Sequence, residues 1–295
     1  MVGKSAADPN FVAAWQGCAD EAQKSGDTCL NLSPAGNSAQ ARQQDAALHA
    51  ALARPLAGLA VSVTHARLLA GSALAAAAQK KLPVVTFDSD LDESNHALRR
   101  AYIGPDNIEF GARMASFVMG THPRGGTACL LSGDANDSNL NQRLLGVRRQ
   151  LSGNPNLAAG SRLRGERGWI EPDRCPFHSG DNRQRAVKQL VLALDDQRVD
   201  VVISMGQFPV LDPALFRSAV EPLRERLQHN TQDIVVATGE LTPEQRALLR
   251  DGLVRAYASI DFTEMGRAAY RSMKQLAEGQ DVAAVTRTGF LIQQR

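Results

Sequence analysis

The sequence predicts an α/β fold of parallel, doubly wound sheets, and three observations carry that prediction. Helix and strand patterns alternate along nearly the whole chain. Repeated βα units of this length pack as parallel sheets covered by helices on both faces, and right-handed crossovers then give doubly wound topology. The stretch Lys81-Leu-Pro-Val-Val-Thr-Phe-Asp-Ser-Asp90 holds a short buried strand over 84–87 that ends in two carboxylates, Asp88 and Asp90. The length of 295 residues is enough to bury a core in two lobes.

Each element has its own signal. Phe11, Val12, Trp15, Ala19 and Ala22 share a helical face, which predicts a helix over 11–25. A strand over 28–32, a helix over 38–53, a strand over 58–63 and an Ala-rich helix over 66–80 follow. The strand over 84–87 precedes a second over 101–103, which ends in Gly104-Pro105-Asp106-Asn107, a turn signal and helix start. A second series begins there. It comprises helix 108–119, strand 127–131, helix 140–151, strand 162–169, helix 183–194, strand 199–204, helix 213–227 and strand 234–238. Thr242-Pro-Glu-Gln245 is a helix start, with Thr242 as N-cap, Pro243 in the first turn and Gln245 closing a capping box. Strand 255–259, helix 262–277 and strand 285–292 complete the pattern. In this architecture the first strand is usually central, yet only Met1-Val-Gly-Lys4 precedes Ser5-Ala-Ala-Asp-Pro9. Either Met1 to Lys4 is the stub of that strand, or the native chain begins earlier.

Composition narrows the function. The formal net charge is +2 and the basic residues are scattered, so no phosphate backbone is indicated as partner. No apolar run approaches the roughly 20 residues of a membrane span, and no signal peptide opens the sequence. Cys18, Cys29, Cys129 and Cys175 lack the paired short spacing of a zinc site. They could be four buried thiols of a cytosolic protein. Pairing within each half, Cys18 with Cys29 and Cys129 with Cys175, is favoured by their even distribution and would imply an oxidising compartment.

Ligands of open α/β sheets sit beyond the carboxyl ends of strands, where Asp88 and Asp90 could accept hydrogen bonds from a polyhydroxylated or cationic ligand. They could equally cap a loop. An enzyme is not indicated. The six histidines stand alone, and Gly133, after a strand, is followed by an acidic segment, Asp134-Ala-Asn-Asp137, that would repel phosphate. No metal or cofactor is expected.

A succession of motifs carries a resemblance. Asp8-Pro-Asn-Phe11 precedes a helix, then come Leu82-Pro-Val-Val-Thr-Phe-Asp-Ser-Asp90 and Tyr102-Ile-Gly-Pro-Asp-Asn107 with Gly111. Ser138-Asn-Leu-Asn-Gln-Arg-Leu-Leu-Gly146, Leu248-Leu-Arg-Asp-Gly252 and Phe262-Thr-Glu-Met-Gly266 follow. In order and spacing this resembles the type I periplasmic binding proteins, the ribose-binding-protein-like solute receptors of sugar ABC transporters, over nearly the whole chain. The LacI-type repressors share the fold. The resemblance implies two Rossmann-like lobes joined by three hinge crossings that close on a ligand. One lobe would be 1–103 plus 261–288 and the other 104–260 plus 289–295. It implies a monomeric periplasmic, sugar-binding receptor without enzymatic activity, whose partners are a small sugar-like ligand and a membrane permease. The alternatives are the sensing domain of a membrane signalling receptor and a cytosolic repressor effector domain. Neither nucleic acid nor membrane insertion is implied.

Residue by residue, the resemblance implies a cleft lined by Phe11, Asp88 and Asn141. Phe11 keeps one aromatic of the family's stacking pair, with Asn10 at the other position; it would otherwise be a core aromatic. Asp88 matches the family's Asp, and Ser89 replaces the Arg that follows it, a loss of forked donors. Asp90 supplies some of that polarity or faces solvent. Asn141 replaces a ligand-binding Arg, or caps a helix start. Gln207 and Phe208 are contacts after the strand over 199–204, or loop packing. Glu240 or Gly239 aligns with a later Asp, and Ile260 replaces a Gln. Trp15, Phe177 and His178 are further candidates, read first as core or rim.

Overall fold

The computed structural model describes every residue except Asn37, Ser38 and Asn230. In chain order the elements are α1 (Pro9–Gln23), α2 (Ala41–Leu52), β1 (Leu59–Val61), α3 (Ala66–Gly71), α4 (Ala73–Gln79), β2 (Val84–Phe87) and β3 (Ala101–Gly104). There follow α5 (Asn107–Thr121), β4 (Gly126–Ser132), α6 (Ser138–Ser152), β5 (Trp169–Ile170), β6 (Phe177–His178), α7 (Arg183–Asp195) and β7 (Val201–Ser204). The rest are α8 (Pro213–Val220), α9 (Arg224–Gln228), β8 (Asp233–Thr238), α10 (Pro243–Arg250), β9 (Ala256–Ile260), α11 (Phe262–Ala277), β10 (Val285–Arg287) and β11 (Phe290–Gln294).

The chain divides into two units. The first comprises Met1–Pro105, Asn136–Asn139 and Asp261–Gly289; the second comprises Asp106–Ala135, Leu140–Ile260 and Phe290–Arg295. In the first, β1, β2, β3 and β10 form a parallel sheet in that order. Met1 to Lys4 extends it: Val2 bridges Val61 in parallel, its amide donating to Ala60 O and its carbonyl accepting from Ser62. This is the strand stub that the sequence offered as one alternative. Residues 28–32, expected as a strand, are not one. They are an extended segment beside Met1, tied by the Leu32 amide to Met1 O. The core holds Val2, Leu48, Leu59, Val61, Leu69, Leu74 and Val84.

Two helices of this unit pack unusually close. A Cβ on Gly17 of α1 would run into the carbonyl of Thr263, and one on Gly266 of α11 would run into the carbonyl of Ala14. That approach sets the buried face of α1 as Phe11, Ala14, Gly17, Cys18 and Ala22, while Val12, Trp15 and Ala19 are only partly covered.

Among the described residues, the second unit is a seven-stranded sheet in the order β11-β9-β8-β7-β4-β5, with β6 also on β4; β11 runs antiparallel to β9 and the other pairings are parallel. Its core includes Leu131, Leu190, Val202, Phe216, Ile234, Val236 and Tyr257. Gly111 of α5 lies against the Arg143 carbonyl and Gly146 of α6 against the Ile108 carbonyl, a second helix pair that only glycine permits.

Several expected elements are interrupted. The helix over 66–80 breaks at Ser72, whose hydroxyl donates to Asp45 Oδ2 while Asp45 Oδ1 takes the Ala73 amide. The helix over 213–227 breaks around Pro222, which lacks an amide hydrogen. Residues 162–168 are not a strand, because Gly165, Arg167 and Gly168 all take positive φ; of the expected strand, Trp169 alone lies in one, at the start of β5. The strand over 285–292 is two strands, β10 and β11, in different sheets. The helix expected from Ser38 runs over Ala41–Leu52, its predicted start lying outside the described residues. The Thr242 capping box is formed as expected.

Both disulfides expected from the sequence are present. Cys18–Cys29 joins α1 to the extended segment with 5.9 Å between Cα atoms, and Cys129–Cys175 joins β4 to the loop before β6 with 5.5 Å. The loops they close span 11 and 46 residues. On a chain-entropy account these stabilise by about 3 and about 4 kcal/mol. No helix among the described residues is long and apolar enough to cross a membrane.

Candidate functional site

In a doubly wound sheet, the crevice for a ligand opens where successive strands depart to opposite sides. In the first unit that point lies between the Met1–Lys4 segment and β1. The chain leaves Met1–Lys4 for the 28–32 segment on one side and returns as β1 on the other. The residues at the carboxyl end of this point are Lys4, Ser62 and, from neighbouring β2, Asp88.

These side chains form one buried polar group. Asp88 Oδ2 accepts from Ser62 Oγ at 2.8 Å, and Asp88 Oδ1 accepts from Asn139 Nδ2 at 3.4 Å. Lys4 Nζ lies 3.8 Å from Asp88 and 2.5 Å from Asp137 Oδ2. Asp137 Oδ1 also takes the Ser89 hydroxyl at 3.2 Å and the Asn139 amide at 3.1 Å. Lys4, Asp88, Ser89, Asp137 and Asn139 are all buried. Asp88 adopts φ 57, a left-handed backbone that Asp tolerates better than most residues. Its amide donates to Ile103 O and its carbonyl accepts from Tyr102 Oη at 2.9 Å, which holds it there.

Asp90 belongs to a different arrangement. Its carboxylate takes Arg99 in a forked pair, Nε and Nη2 each at 2.7 Å, together with Thr86 Oγ1 at 2.6 Å and the Leu91 amide at 2.8 Å. It fastens the segment between β2 and β3. Phe11 is buried with its ring edge-on to Phe87 and Phe262, at centroid distances of 6.3 and 5.9 Å.

In the second unit the corresponding switch lies between β4 and β7, and a second polar group stands at those strand ends. Arg143 on α6 is buried; its Nε donates to Asn107 Oδ1 and its Nη1 to Met205 O, both at 2.8 Å. Its guanidinium stacks 4.8 Å from the Phe110 ring centroid, a cation–π contact. Gln207, just past β7, is buried and accepts from Thr238 Oγ1 at 3.2 Å. Phe208 packs partly buried on the core of this unit. Asn141 is exposed and donates to Ala135 O, and Glu240 is exposed beyond β8. Trp15 donates from Nε1 to Cys29 O; Phe177 is partly buried on the core, and His178 is exposed. Among the described residues, no three or more His, Cys, Asp or Glu side chains are grouped to hold a metal ion.

The model of the periplasmic binding protein domain family matches residues 1–281. The chain belongs to that family. Solved structures share the fold of this periplasmic binding protein over almost its full length. An ABC transporter solute-binding protein of Burkholderia graminis, in complex with D-arabinose, is 20% identical with a TM-score of 0.81, covering 100% of this chain and 93% of that one. One from Agrobacterium vitis, bound with α-D-tagatopyranose, is 16% identical with a TM-score of 0.83, covering 99% and 93%. A glucose-galactose binding protein of Geobacillus stearothermophilus is 20% identical with a TM-score of 0.81, covering 99% and 96%. No curated protein sequence matches.

Sequence reasoning about this periplasmic binding protein did not single out Lys4, Ser62, Asp137, Asn139 or Arg143. A signal for three of them existed. On α6 the spacing 139, 143 is one helical turn, so these residues share a face with the Asp137 side of the N-terminus; residue 141 is about 200° away from 139. That places Asn141 on the exposed side and Asn139 and Arg143 on the buried one.

Proposed function

We propose that this periplasmic binding protein is an extracytoplasmic receptor that captures a small sugar and presents it to an ABC permease. One observation carries the reading: the chain is similar along its length to solute-binding proteins solved with D-arabinose and α-D-tagatopyranose, and the strand ends that hold ligand in such folds carry a buried hydrogen-bonding group around Asp88. The two disulfides support an oxidising compartment, the periplasm.

Within this reading, Asp88 accepts hydrogen bonds from sugar hydroxyls, with Lys4, Asp137 and Asn139 around it. Phe11 and Asp90 act from behind, as packing and as a fastening. Gln207, Phe208 and Arg143 form the polar end of the second unit, and Asn141 and Glu240 lie outside the proposed set. The test is a thermal-shift screen of pentoses and hexoses, followed by calorimetric titration of the wild type and Asp88→Ala. At least one sugar should raise the unfolding midpoint. Asp88→Ala should then bind it about 10–100-fold more weakly, since a hydrogen bond to a charged group contributes about 1.5–3 kcal/mol. Asp88→Asn, which keeps an acceptor and tolerates the left-handed backbone, should lose less. Unchanged affinity in Asp88→Ala removes that residue from the site, and a panel without any shift overturns the sugar reading.

A further inference from the structure

The side chain of Tyr102 reaches both the candidate site and a chain crossing. The chain leaves the first unit between Pro105 and Asp106, and leaves it again after Gly289. The buried Tyr102 hydroxyl lies 2.9 Å from Asp88 O and 3.2 Å from Pro105 O. A phenol carries one proton, so the two carbonyls compete for it. Donation to Asp88 O braces a left-handed backbone, φ 57, which a residue other than glycine keeps only where its surroundings over-determine it. The second acceptor belongs to the crossing. Arg287 Nη1 also donates to Pro105 O, at 3.2 Å, and its guanidinium lies 5.9 Å from the Tyr102 ring centroid. The Thr288 amide donates to Gly104 O at 3.1 Å, so the segments before both crossings are tied side by side. Gly104 fits the same arrangement. A Cβ there would strike Tyr102 Oη and the ring carbon that bears it.

We propose that Tyr102 is a positioning residue for sugar binding: its hydroxyl, shared between Asp88 O and Pro105 O, sets the geometry of Asp88 and of the crossing together. Both main-chain bonds that hold Asp88 come from β3, the strand that runs into the crossing: its amide donates to Ile103 O and its carbonyl accepts from Tyr102. A sugar that needs Asp88 braced favours donation to Asp88 O, by as much as its affinity differs between the two arrangements. Its binding is then felt at Pro105, which it does not have to touch. The inference rests on the assignment of Asp88 to the sugar site and adds the residue that acts through it.

Tyr102→Phe removes the hydroxyl and keeps the ring beside Arg287, and two measurements test it. The first is amide hydrogen exchange without sugar. The Asp88 and Thr288 amides should each exchange at least about tenfold faster in Tyr102→Phe, while the Leu59 amide, bonded to Pro83 O at the far end of β1, should be unaffected. Gly104→Ala, whose methyl displaces the same hydroxyl, should give the same pattern. Unchanged protection at either Asp88 or Thr288 in Tyr102→Phe overturns the coupling. The second is a calorimetric double-mutant cycle with D-arabinose, D-tagatose, D-glucose and D-galactose. Tyr102→Phe should weaken binding about tenfold in the wild type and less than about twofold in an Asp88→Ala background, because it acts through Asp88. A tyrosine that only supports the fold would lower affinity by the same factor in both backgrounds, and that result overturns the inference. A loss in Asp88→Ala without one in Tyr102→Phe overturns this inference and leaves the site assignment standing. Unchanged affinity in Asp88→Ala, or silence from all four sugars, brings down the reading of the site and this inference with it.

Discussion

At the scale of single residues, two buried aspartates illustrate opposite solutions to the same problem. Asp88 is surrounded by donors and an ammonium. Asp233, at the start of β8, is buried, and its cations stand off: His122 Nδ1 at 3.8 Å and Arg255 Nε at 3.9 Å. Burial pushes the Asp233 carboxyl above its ordinary value of 3.8, and these two cations and the Thr121 hydroxyl only partly oppose it. A raised folded pKa means that the folded state holds its proton after the unfolded state has released it. The stabilising contribution is complete below the unfolded value and is lost as pH rises through the folded one. Denaturant titrations across pH should therefore find Asp233→Asn more stable than the wild type at pH 7, with the difference shrinking toward pH 3; a difference independent of pH would refute this. Which residues line the candidate site was only partly legible. Asp88 stood out because a carboxylate ends an apolar strand. Lys4 and Asp137 did not, because their meaning comes from each other across 133 residues of chain.

Elements were legible where local chemistry and tertiary contacts agree. The helix expected over 262–277 is α11 without adjustment: Asp261 caps its N-terminus by accepting from the Glu264 amide, and its buried face follows the helical period. They were not legible where a distant side chain intervenes. Asp45 splits the Ala-rich segment into α3 and α4: Gly71 and Ser72 weaken the helix locally, and the carboxylate of another helix fixes the break there. The glycines divide similarly. A methyl group on Gly266 would meet the backbone of α1, whereas one on Gly71 would meet nothing within 4 Å. Gly266→Ala should thus cost about 1–3 kcal/mol through overpacking. Gly71→Ala, in the last turn of α3, should be neutral or add up to about 1 kcal/mol. Chemical denaturation of both variants compares them, and equal effects would mean that the α1–α11 approach is not the constraint it is taken to be.

At the scale of the whole molecule, β10 pairs with β3, and Arg287 donates to Pro105 O across 182 residues; Tyr270 reaches Asp27 across 243. The second unit, apart from β11, is encoded between the halves of the first. During synthesis the ribosome therefore delivers β1, β2 and β3 long before α11 and β10 that complete their sheet and cover α1. Residues 106–260 can condense while the earlier segment waits, since closure over long loops is entropically costly and slow. A nascent chain stalled with residues up to 260 outside the exit tunnel should be protected from protease over 106–260 and cleaved within 1–105. Protection of both would show that the first unit does not need its last helix and strand. The amino-terminal third of the chain would thus be made first and finished last, and it would be the part exposed to holdases and proteases while translation proceeds.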